Sequence, residues 1–104
     1  MPILTRSLIF LWPILLVFLS SCATNYPVQE MSNARQTLQA AKAVNAQVYA
    51  RSQYKEASRL LDLATSKLGE GDYLLARKYA LSAKQLAIQA RMEAISQQQS
   101  EKKN

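Results

Sequence analysis

The chain has 104 residues, with 13 lysines and arginines against 7 acidic residues and a net charge of +6. That length fits one small domain, and the positive balance suits anionic partners: lipid head groups, envelope glycans or nucleic acid. With no histidine, one cysteine and two glycines, Ser-His-Asp triads, Cys/His zinc sites, intrachain disulfides and Gly-rich phosphate loops are excluded, and no catalytic residue, metal or cofactor is expected.

The first 21 residues read as a leader. Met1 to Arg6 is short and basic, and Leu8 to Leu19 is a run of twelve apolar residues without a charge. As a helix that run would measure ~18 Å, short of the ~30 Å hydrocarbon core of a bilayer. Pro13 inside it weakens a long helix further. A secretory signal fits better than a membrane span. Small side chains, Ser20 and Ser21, then precede Cys22, and they let a protease approach an extended backbone.

Taken together, the basic start, the apolar run and Leu19-Ser20-Ser21-Cys22 resemble the signal peptide and lipobox of bacterial lipoproteins. Ser21 stands where that pattern more often has glycine or alanine. The resemblance implies cleavage before Cys22, a diacylglycerol on its sulfur and an N-acyl chain such as palmitate. Multiple acyl chains anchor far more firmly than one. Ala23 follows the cysteine, where aspartate commonly retains such proteins in the inner membrane. The implied location is therefore the outer membrane, lipid-anchored on its periplasmic face, which would exclude nucleic acid as a partner. The alternative is an ordinary secretory leader with an unmodified cysteine. Processing would leave 83 residues with net charge +5, a length that buries only a small core.

Residues 22–26 read as the lipidated cysteine and a short tether. A helical domain is expected over 27–97, with helices at about 27–48, 52–69 and 72–97, followed by a disordered polar tail at 98–104. Pro27 suits the first helical position, and Glu30 complements the dipole of the first turn. Met31, Ala34, Leu38, Ala41 and Val48 share one face of the first helix. Asn45 interrupts that stripe as a polar residue near a helix end. The break at Val48–Arg51 has no glycine or proline, so a continuous helix is the alternative there. Ser52 is the expected N-cap of the second helix, whose stripe is Tyr54, Ala57, Leu61, Ala64 and Leu68. Gly69-Glu70-Gly71-Asp72 is the clearest turn, with Gly69 expected in the left-handed closing position and Asp72 as the next cap.

The third helix carries two apolar stripes. Ala76, Ala80, Ala83, Ala87, Ala90 and Ala94 alternate at spacings of four and three, a seam that lets another helix approach closely. Leu74, Leu81, Ile88 and Ile95 recur every seven residues on a different face. Between the two runs a basic ridge, Arg77, Lys84 and Arg91. Either the helix is the middle element with neighbours on both faces, which is the favoured reading, or the second stripe binds another chain.

Tyr49-Ala50, then Gly71-Asp72-Tyr73 and the alanines at 76, 80, 83 and 87, resemble a family of bacterial envelope proteins known only as a domain of unknown function. Arg51 stands where that family tends to have proline. The Gly-Asp-Tyr-x-x-Ala turn is also weakly similar to a tetratricopeptide helix hairpin, but one hairpin falls short of a solenoid. The expected fold is all-α, a three-helix antiparallel bundle. The expected function is that of a non-catalytic envelope lipoprotein, a scaffold or protein-interaction module that meets an envelope partner or itself through Leu74, Leu81, Ile88 and Ile95. The alternative is binding of anionic glycan or lipid through Arg77, Lys84 and Arg91.

Overall fold

A computed structural model describes residues 26–103. The expected leader, the expected lipobox residues Leu19, Ser20 and Ser21, the expected acylation site Cys22 and the expected tether up to residue 25 lie outside the described residues. Among the described residues the structure is all-α, with four helices: α1 (Val28–Ala43), α2 (Ala46–Tyr49), α3 (Arg51–Gly69) and α4 (Tyr73–Lys103). The long elements run up, down and up. The α1 and α4 N-termini lie together, where Glu30 pairs with Arg77 at 3.1 Å, and Tyr49 meets Glu101 at the other end.

The expected first helix, 27–48, is interrupted. It stops at Ala43, and Asn45 takes a left-handed backbone with φ of 60°. Asparagine is among the few side chains that tolerate this region. The chain turns inward, burying Ala46, makes the single turn of α2, and bends again at Ala50 with φ of −136°. The break is thus present, and helix continuity through 48–51 is excluded. Ser52 lies inside α3, not at its cap; Ala50 holds that position without a side-chain bond. At the next turn the roles of the glycines also shift. Gly71 takes the positive φ, +81°, while Gly69 remains the last residue of α3. Asp72 does cap, its Oδ1 accepting from the Leu75 N–H at 3.2 Å.

The core is built from alanine. Twelve of the fourteen buried residues among those described are alanines, and the others are Pro27 and Met31. Ala80, Ala83 and Ala64 gather with Met31 and Ala34 near one end, shouldered by half-buried Leu60, Leu61, Leu68 and Tyr79. Ala90 and Ala94 gather with Ala41, Ala46 and Ala50 near the other, shouldered by Val44, Tyr49 and Tyr54. Each buried methyl is worth ~0.8 kcal/mol, so the twelve alanines supply about 10 kcal/mol before entropy. Small side chains also bring helix axes toward the short end of the ~8–10 Å range, and alanine has the best helix propensity.

The expected disordered tail at 98–104 is instead helical as far as Lys103. Contacts remote in sequence hold it. Gln98 Nε2 donates to the Val44 carbonyl, satisfying an acceptor freed at the end of α1. The Tyr49 hydroxyl donates to Glu101 at 3.1 Å, and that bond to a carboxylate raises the phenol above its ordinary pKa.

Candidate functional face

Helix α4 packs against both α1 and α3, but not with one on each apolar face, and among the described residues its second stripe is left largely exposed. Both α1 and α3 pack on the alanine side, because close approach requires small residues there and the two neighbours also touch each other. Leu74 is left 76% exposed, Leu81 47% and Ile88 36%, with only Ile95 half-buried outside this class. The favoured expectation, that a neighbouring helix of the same domain buries this stripe, is overturned by those exposures. Met92, 64% exposed, extends the face. It falls eleven residues after Leu81, three whole turns of a helix, and so lies almost directly above it.

Two shallow grooves flank the face. On the α1 side, Gln36, Thr37 and Ala40 oppose Ile88, Arg91 and Met92. On the α3 side, Gln53 opposes Gln89, Met92, Glu93 and Ser96. Near the start of α4, Leu74 and Leu81 line an almost wholly apolar depression with the stems of Arg77 and Lys78. Long basic side chains commonly cover apolar surface in this way while keeping the charge in water.

The basic ridge is placed along the crevice between α1 and α4. Arg77 donates through Nε to Glu30 at 3.1 Å, both side chains being about one-third exposed at 34% and 28%. Lys84 is half-buried, and Arg91 is exposed beside Gln36 and Thr37 of α1. The three cations therefore do not form a uniform solvent-facing row. Other ion pairs are local. Arg59 and Glu56 bond at 2.9 Å on the surface of α3, which holds the carboxyl below its ordinary pKa. Lys67 and Glu70 meet at 3.0 Å beside the turn, which raises the lysine. Such exposed pairs add little to stability. Among the described residues, no three acidic or thiol side chains gather closely enough to share a metal ion, and no helix is long and apolar enough to cross a membrane.

An all-helical bundle with a small-residue core and an uncovered apolar face is thus the class to which the described domain belongs. The family described as a domain of unknown function, DUF4398, matches residues 29–104, and the chain belongs to it. No curated protein and no solved structure matches the chain.

Proposed function

We propose that this protein is a lipid-anchored lipoprotein of the outer membrane, facing the periplasm. Its helical domain is a non-catalytic scaffold that captures an envelope protein. The carrying observation is the face formed by Leu81, Ile88 and Met92 on the central helix, exposed at 47%, 36% and 64%. A contiguous apolar face on a domain that has so little large apolar core is expensive to leave in water and usually marks interaction. The leader and Cys22 support the anchoring. The residue inventory, without histidine and with one cysteine, supports a surface that binds in preference to a site that reacts. The ridge reading is weaker, because Arg77 is engaged by Glu30.

Crosslinking in intact envelopes, with the anchored chain as bait, tests this. Leu81→Asp is expected to keep the helical circular dichroism of the parent, since the side chain is half-exposed, and to lose the captured partner. Joint replacement of Arg77, Lys84 and Arg91 by glutamine is expected to retain it. Equal capture by Leu81→Asp and the parent refutes the proposed face. Loss only in the triple variant moves the binding surface to the ridge.

A further inference from the structure

Four exposed apolar or aromatic side chains lie at one end of the bundle, Leu74 being also the first residue of the α4 stripe. They are Tyr26 (42% exposed), Val28 (60%), Tyr73 (39%) and Leu74 (76%). They are brought together because α1 and α4 start at the same end. The rings of Tyr26 and Tyr73 meet edge to face with centroids 5.2 Å apart, and Pro27 between Tyr26 and Val28 is fully buried, fixing where the chain enters. We infer that this end, Tyr26, Val28, Tyr73 and Leu74, seats in the head-group layer of the lipid bilayer, so that the bundle stands on the membrane with α4 rising from it.

The occupant follows from the chain just outside the described residues. The apolar run ends at Leu19 and the single cysteine is residue 22, four residues before Tyr26. Four residues span at most about 14 Å, and the head-group layers add roughly 10–15 Å in total to a ~30 Å core. Whatever holds position 22 at the membrane also holds Tyr26 within reach of that layer. Tyrosine, with an apolar ring and a polar tip, is suited to it. The charge pattern says which kind of contact this is. At this end Arg77 pairs with Glu30 and Lys67 with Glu70. Arg77 and Lys67 are thus matched by acids, so the seating is apolar and aromatic and does not require anionic lipid. It rests on the anchoring proposed above.

The test uses the protein expressed with its own leader, isolated from bacterial membranes as the processed chain that begins at Cys22 and reconstituted into phosphatidylcholine vesicles whose acyl chains are brominated near the head group. Trp12, the one native tryptophan, lies in the leader and is absent from the processed chain, so one reporter is introduced at a time: Leu74→Trp at this end, or Val48→Trp, 70% exposed, at the other. Both positions are solvent-exposed, and circular dichroism checks that the bundle is retained. The expected result is a blue-shifted Leu74→Trp emission, quenched about twofold or more, with Val48→Trp unchanged from water. Adding phosphatidylglycerol should leave the ratio the same. Equal emission from the two reporters, quenched or unquenched, overturns the seating while leaving anchoring intact, as does quenching that needs phosphatidylglycerol. Failure of the chain to float with the vesicles overturns the anchoring and the seating with it.

Discussion

Ala80→Leu should unfold the domain more readily than any change to the large apolar residues beside it. Ala80 is fully buried, where Met31 and Ala34 of α1 and Ala64 of α3 converge on α4. Three added carbons have no space there, and the helices must move apart. Overpacking of this kind costs ~1–3 kcal/mol, and a site shared by three helices belongs at the upper end. For a domain of this size each kcal/mol lowers Tm by about 4–8 °C, so a fall of roughly 12–24 °C is expected. Leu81→Ala, one residue along, should cost about 1 kcal/mol or less, because Leu81 is already 47% exposed. Thermal unfolding of the detergent-solubilised protein, followed by circular dichroism at the helical minimum, measures both. The reverse order would mean that the leucine face lies inside and the alanine seam outside.

That inversion of size and burial explains why some of the architecture was legible in the sequence and some was not. The alanine seam from Ala76 to Ala94 was legible because its spacing of four and three is a helix period, and small residues at that period mark close approach. The fate of Leu74, Leu81 and Ile88 was not. Periodicity says that a helix has two apolar faces, but not which one its neighbours choose. Large side chains ordinarily win that competition through buried area. Here the helices pack closely on the small face, and the large residues remain outside. Met92 is hidden in the sequence for a related reason: it departs from the seven-residue spacing and joins the face only through the eleven-residue near-repeat of a straight helix.

Contacts between distant positions were also hidden. Ser96 to Asn104 is polar throughout, and composition alone suggested fraying. The helix persists because Gln98 meets Val44 and Glu101 meets Tyr49, partners more than fifty residues away. The kink at Asn45 has no proline or glycine to announce it. Its signal is only that asparagine adopts a left-handed backbone more easily than its neighbours. On the side of the candidate site, Leu74, Leu81, Ile88 and the ridge of Arg77, Lys84 and Arg91 could all be named in advance. The pairing of Arg77 with Glu30 and the meeting of Tyr26 with Tyr73 depend on α1 and α4 starting together, which local sequence does not encode.

Substitutions at the two turn glycines should have opposite signs. Gly71 sits at φ of +81°, and a Cβ built there meets nothing within 4 Å. The penalty for a side chain is therefore a backbone penalty alone, of roughly 1–2 kcal/mol for alanine and more for a β-branched residue. Gly71→Val is expected to lower Tm by about 10 °C or more. Gly71→Asn should lose less than Gly71→Ala, since asparagine accepts the left-handed region more readily although it is bulkier. A steric origin would give the contrary ranking. Gly69 also has open space around its Cβ position but no positive φ, and it closes α3 in helical conformation. Replacing it with alanine removes freedom from the unfolded chain and improves helix propensity, so Gly69→Ala should stabilise by up to ~1 kcal/mol. The four melts, compared with the parent, decide which glycine reverses the chain. This matters beyond the turn itself, because the direction in which Gly71 and Asp72 launch α4 fixes the register of Ala80 and Ala83 against Ala64 of α3. That register turns Leu74, Leu81 and Ile88 outward. A turn closed at Gly69 would start α4 two residues earlier, rotate it by about 200°, and bury the face that the present turn exposes.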